Sequence, residues 1–96
     1  MNALDAIRAR ESEIRALAAK HGAGNVRVFG SVVRGEASQE SDVDFLIDIV
    51  GPTSPWFPGG LLNDLEGLLE RRVDVVVARS LNPHLRESVL NEAVPL

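Results

Sequence analysis

Val26-Arg27-Val28-Phe29-Gly30-Ser31-Val32-Val33-Arg34-Gly35, and after it Ser41-Asp42-Val43-Asp44-Phe45-Leu46-Ile47-Asp48-Ile49-Val50, is the stretch that decides the fold. Val26 to Phe29 alternates as a short strand. Gly30-Ser31 follows at once and opens a short helical turn, which gives way to a loop as far as Ser41. Asp42 to Val50 is a second strand. Val43, Phe45, Ile47 and Ile49 point one way; Asp42, Asp44, Leu46 and Asp48 point the other. Three carboxylates on one face do not suit a surface that faces a core.

Asp42 and Asp44 lie one residue apart on that strand, about 7 Å along one face. Two like charges so placed repel unless something positive sits between them. A divalent cation meets that need, and Mg²⁺ takes a few carboxylates together with waters and phosphate oxygens. Asp74 interrupts the apolar run Val73-Asp74-Val75-Val76-Val77, a third strand expected at the centre of its sheet. If that strand lies beside the second, Asp74 completes a three-carboxylate cluster able to hold two metals. Taken singly, each residue has a plainer reading. Asp42 can cap a turn after Ser41, Asp44 can sit on an exposed face, and Asp74 can pair with Arg71, Arg72 or Arg79. Gly30-Ser31 alone is an ordinary strand-to-helix turn, although glycine lets the backbone approach phosphate oxygens and the Ser31 hydroxyl can donate to one. Arg34 reads equally as a phosphate or partner contact and as an exposed loop arginine.

Outward from this centre the chain alternates. Leu4, Ile7, Ile14, Leu17 and Ala18 make an apolar stripe, interrupted by Glu11, for an N-terminal helix that ends at His21-Gly22-Ala23-Gly24-Asn25. His21 is expected at the helix end and His84 at the surface. Val50 to Gly60 is a Pro/Gly-rich loop whose Trp56 and Phe57 are expected to fold back on the core. Leu61, Leu62, Leu65, Leu68 and Leu69 mark a helix running to Arg71. Asn82-Pro83 caps and opens a last helix with Leu85, Val89 and Leu90 on its apolar side, ended by Pro95. The order predicts one α/β domain over residues 1–96.

Composition narrows the class. A hydrophobic share of 45% with 25% charged residues is that of a globular protein. Without cysteine there is no disulfide or thiolate chemistry. No apolar run approaches a membrane span or a signal peptide, so a cytoplasmic protein is expected. A net charge of −4 argues against broad binding to nucleic acid and is compatible with a basic protein partner.

The run Gly30-Ser31-Val32-Val33-Arg34-Gly35 with Asp42-Val43-Asp44 about ten residues on resembles the signature of the DNA polymerase beta-type nucleotidyltransferase superfamily. Leu65-Glu66 through Arg72-Val73-Asp74-Val75-Val76 resembles that family's third-carboxylate strand. Glu92-Ala93-Val94-Pro95-Leu96 resembles the end of its small members, the minimal nucleotidyltransferases. The resemblance implies a polymerase beta-like palm core, a small mixed sheet flanked by helices. It implies that Gly30 and Ser31, with Arg34 as a plausible addition, hold the triphosphate of ATP. It implies that Asp42 and Asp44 bind two Mg²⁺ ions, and that Asp74 binds the catalytic metal or helps deprotonate the attacking hydroxyl. Family members often carry glycine where Glu70 stands. Small members resemble antitoxins paired with a HEPN-domain toxin. The implied activity is AMP transfer from ATP to a hydroxyl, a tyrosine in expectation, on that partner, with hetero-oligomer formation possible. Two other readings stay open: an antitoxin that neutralises its partner by stoichiometric binding, and a small-molecule adenylyltransferase that completes its acceptor pocket by oligomerising.

Overall fold

Alternation in the central segments closes them into one mixed sheet. The computed structural model describes residues 2–38 and 40–96; Met1, and Gln39 in the loop expected between the first two strands, lie outside the described residues. Four strands, β1 (Ala23–Phe29), β2 (Val43–Ile49), β3 (Val73–Val77) and β4 (Val94–Pro95), are ordered β3-β2-β1-β4. β1 runs antiparallel to β2 and β4, and β2 runs parallel to β3. The helices are α1 (Ala3–Arg8), α2 (Glu11–Lys20), α3 (Ser31–Arg34), α4 (Gly59–Leu69) and α5 (Pro83–Glu92), with a 3-10 turn at Ala78–Ser80.

The core lies on one face of the sheet. Val28, Val43, Phe45, Ile47, Val73 and Val75 meet Ile7, Ile14, Ala18, Leu61 and Leu65, all buried. Each such side chain contributes roughly 1.5–3 kcal/mol by leaving water. The opposite face carries Asp44, Asp48 and Asp74, outside the core.

The elements depart from expectation where local rules compete. The N-terminal helix is two helices, broken by a turn at Ala9–Arg10. No large apolar side chain lies between Ile7 and Ile14 to hold a continuous stripe. Arg10 instead turns to Glu13, with hydrogen bonds of 2.8 and 2.9 Å. β1 begins at Ala23 rather than Val26, because a register shift between Gly24 and Arg27 lets the turn residues pair with β2. β2 begins at Val43, so Asp42 stands just before it. β3 is an edge strand and not central, paired on one side only with β2. Pro95 does not end the last helix: α5 stops at Glu92, and Val94–Pro95 is a strand against Val28 and Arg27. The Asn82 cap is as expected, its side chain accepting from the His84 amide at 2.9 Å.

α5 carries the chain from the β3 edge to the β4 edge and buries none of its residues. Its apolar side is largely open, with Leu85 57% and Leu90 43% exposed.

Candidate active site

The site begins with the backbone of Gly30, where β1 ends and α3 starts. Its φ of +82° is a conformation that side-chain-bearing residues rarely adopt. A Cβ placed there would collide with the Asp44 carboxylate. Glycine is therefore what lets the turn close against β2. Ser31 follows as the first residue of α3.

Parallel pairing of β2 with β3 sets Asp44 opposite Asp74, and antiparallel pairing with β1 sets Phe29 opposite Asp44. Three elements thus converge by register alone. β3 is held in this register at its start. The Val73 amide donates to Glu66 of α4 at 3.0 Å, and the Val43 amide donates to the Arg72 carbonyl at 3.0 Å. The approach to β2 is held by Arg71, whose Nη2 donates to the Ser38 and Ser41 carbonyls at 2.7 and 3.0 Å.

Asp44 has the clearest electrostatic signature. Burial pushes its carboxyl above the usual range, the Asp74 and Asp42 charges push it further, and Arg34 opposes them. Asp74 is exposed at the sheet edge and takes no ion pair from Arg71, Arg72 or Arg79. Asp42 is exposed and lies 3.3 Å from Arg72 Nε. Among the described residues, no three acidic or histidine side chains converge into a ready metal cage. The expected closed cluster of three is instead an in-register pair, Asp44 and Asp74, with Asp42 beside it and turned to Arg72. Asp48, farther along the same face, is occupied: Arg27 Nη2 donates to it at 2.9 Å and Asn25 Nδ2 at 2.8 Å.

Arg34 leaves α3 at its last position and is gripped by carboxylates, Glu36 on Nε and Glu92 on Nη1, the latter at 2.6 Å. Glu92 reaches the turn as well, accepting from the Gly30 amide at 2.9 Å. Nothing in local sequence marked Glu92 beyond its place in the family-like tail. The contact depends on α5 crossing the sheet, which no local pattern encodes.

A second polar cluster joins segments that no local pattern links. His21 is 7% exposed at the end of α2. Its Nδ1 is 2.6 Å from Ser54 Oγ and its Nε2 is 2.7 Å from Asp64 Oδ2. It ties the Pro/Gly loop to α4. Phe57 of that loop packs on the core as expected, but Trp56 does not fold back: it is 92% exposed.

A strand-turn-helix that presses a Gly-Ser turn against in-register carboxylates defines a nucleotidyltransferase-type site. The nucleotidyltransferase domain family matches residues 12–96. Protein adenylyltransferase MntA of Thermococcus cleftensis is 43% identical over 75 residues, which cover 78% of this chain and 76% of that protein. A solved structure described as a candidate minimal nucleotidyltransferase superposes with a TM-score of 0.84 at 49% identity, covering 100% of this chain and 97% of the other. A chain from a complex of a tri-AMPylated Shewanella oneidensis HEPN toxin with its MNT antitoxin shares the fold, with a TM-score of 0.68 at 20% identity over 92% of this chain and 69% of that one. The chain belongs to the nucleotidyltransferase domain family, and its fold is that of the minimal nucleotidyltransferases. No helix among the described residues is long and apolar enough to cross a membrane.

Proposed function

We propose that this chain transfers AMP from ATP to a tyrosine hydroxyl of a HEPN-domain toxin in the cytoplasm and so acts as its antitoxin. The observation that carries the reading is the in-register pair Asp44 and Asp74 beside the Gly30-Ser31 turn. The name of the Thermococcus relative and the AMPylated toxin in the Shewanella complex support the choice of nucleotide and acceptor.

The carboxylates are the donor type that Mg²⁺ takes, and Asp42 would leave Arg72 to join Asp44 and Asp74 around two ions. Asp44 is raised first by partial burial and then by neighbouring carboxylates, Asp74 and Asp42 foremost, and a cation among them would relieve that repulsion. Asp42 and Asp44 would hold the ions, with Asp74 on the catalytic one. When bound, Mg²⁺ neutralises triphosphate charge and aligns an in-line displacement. Gly30 shapes the turn that admits the triphosphate, Ser31 offers it amide and hydroxyl donors, and Arg34 adds a cationic donor. The acceptor oxygen forms its bond to the α-phosphorus as the α–β phosphoanhydride breaks, and pyrophosphate leaves with the bonding pair. Asp74, exposed on the edge strand, is where a protein-borne hydroxyl can give up its proton. The open edge gives a large acceptor access to the site.

Intact-mass spectrometry of the partner after incubation with this chain, ATP and Mg²⁺ tests the reading. Mass gained in units of AMP by the wild type, and lost in an Asp42→Asn/Asp44→Asn variant, is the expected result. A tight complex formed equally by both proteins with no added mass would leave an antitoxin that acts by binding alone.

A further inference from the structure

Glu92 is the last residue of α5, a helix that contributes no buried residue to the core. Yet the Glu92 side chain is itself only 23% exposed, and both its oxygens are used. One accepts from the Gly30 amide, 62 positions away in sequence, at 2.9 Å. The other accepts from Arg34 Nη1, 58 positions away, at 2.6 Å. Both partners belong to the turn assigned to the triphosphate.

The tail beyond Glu92 is fastened to the same strand. Val94 and Pro95 pair with Val28 and Arg27, and the Leu96 amide donates to the Val26 carbonyl at 3.0 Å. Glu92 is thus held at the strand end where the phosphate turn begins. Burial works against its charge. The hydrogen bond from Arg34 and that from the Gly30 amide nevertheless keep its carboxyl below the usual range, so it is an anion at neutral pH.

A guanidinium carries five donors in a rigid fork. Glu36 takes Nε and Glu92 takes Nη1, while Nη2 has no protein partner among the described residues. Two carboxylates therefore fix the plane of Arg34 and leave both Nη2 donors for an oxygen acceptor. We propose that Glu92 is a positioning residue for the nucleotide: it braces the Gly30-Ser31 turn and orients Arg34 so that Nη2 meets the triphosphate, which makes the C-terminal tail part of the active site. This rests on the assignment of Gly30, Ser31 and Arg34 to the triphosphate. A plug that competes with phosphate for Arg34 would act with the opposite sign.

The test is ATP titration in the presence of Mg²⁺, by calorimetry on the full chain. It compares the wild type with Glu92→Gln, Glu92→Ala, Arg34→Ala and the Arg34→Ala/Glu92→Ala double variant, with melting curves run alongside. Glu92→Gln keeps an acceptor for Gly30 and loses the charge that grips Arg34. It is expected to weaken ATP binding by about 10-fold, the scale of one charged hydrogen bond, and Glu92→Ala by more. In the Arg34→Ala background the further loss from Glu92→Ala is expected to shrink, because the two act as one unit. In turnover assays KM for ATP rises more than kcat falls. Unchanged affinity in the Gln variant, fully additive losses, or tighter binding in either Glu92 variant would overturn the proposal, the last pointing to the plug. If Glu92→Ala does not fold, Glu92→Gln carries the test. A folded wild type that does not bind ATP would sink the triphosphate assignment itself, and this inference with it; wild-type binding with indifferent Glu92 variants sinks the inference alone.

Discussion

At the start of β2, Asp44 stands in register with Asp74, raised by burial and by the Asp74, Asp42 and Glu92 carboxylates. Near the other end of the strand, Asp48 meets Arg27 and Asn25 and is held below the usual carboxylate range by them. Beyond it, the loop after β2 is latched by His21 to Ser54 and Asp64. One strand thus carries a carboxylate left in conflict and another fully partnered. Folding alone would favour partners at both ends. Conflict retained at one end is what the proposed nucleotide site accounts for, since perturbed carboxylates gather where chemistry is done.

The sharpest way to break that contrast is Asp44→Asn. Loss of the metal-side carboxylate is expected to cut AMP transfer on the order of 10³-fold, read by the mass assay. The same change is expected to raise the melting midpoint measured without divalent cation. A carboxyl whose folded pKa is raised holds its proton more tightly in the folded state, so its contribution to stability fades as pH rises through the usual carboxylate range and just above it. Asn removes that loss. A metal-free midpoint that falls in the variant would mean that Asp44 is satisfied as it stands.

His21→Ala attacks the other end. It strands the Ser54 hydroxyl, leaves Asp64 with Lys20 alone at 3.5 Å, and opens space beneath Gly60, where a Cβ would already crowd the imidazole. The expected cost is about 2–3 kcal/mol, or roughly 10–20 °C in a domain of this size. ATP affinity of the folded protein should hardly change, because the latch lies at the far end of β2. Asp64, lowered chiefly by its hydrogen bond to His21, stabilises the fold above the usual carboxylate range and loses that contribution as pH falls. The two ends therefore respond to acid with opposite sign. Melting curves from neutral to acidic pH should show the wild type losing latch stability that His21→Ala no longer has to lose.

Glu70→Gly is smaller and concerns what the sequence could reveal. Glu70 caps α4 at φ +54°, the left-handed region where a side chain costs about 1–2 kcal/mol. Part of that gain returns to the unfolded chain's freedom, so the expected stabilisation is about 1 kcal/mol, or 4–8 °C in melting midpoint. An unchanged midpoint would mean that the cap is relaxed by its surroundings. The departure from glycine at this position came from the family resemblance, not from local turn chemistry. Asp42 and Asp44 on one face were visible, because period-two alternation is local; Asp74 joined them only on the condition that the third strand lay beside the second, as it does. Sheet order was not visible. Val73-Asp74-Val75-Val76-Val77 reads as central by composition but lies at an edge, because edge or centre depends on which strands arrive later in the chain. β4, the Glu92 brace and the His21 latch were hidden for that reason too. Each joins segments tens of residues apart, and no spacing rule spans a crossover.

Trp56→Ala is expected to have the least effect and gives the cleanest control. Its side chain is 92% exposed, against none of the exposure of Phe45 in the core. Hydrophobic stabilisation scales with the area removed from water. Truncating Trp56 removes almost no buried area, and stability should stay within about 0.5 kcal/mol of wild type. Phe57 beside it packs on the core, so Phe57→Ala in the same loop should cost more. The pair separates two contributions of one loop: the latch and Phe57 hold it down, while Trp56 rides outside. A loss above about 1 kcal/mol for Trp56→Ala would show that the indole packs against the domain in solution, and that the loop end of β2 is more tightly built than its exposed tip implies.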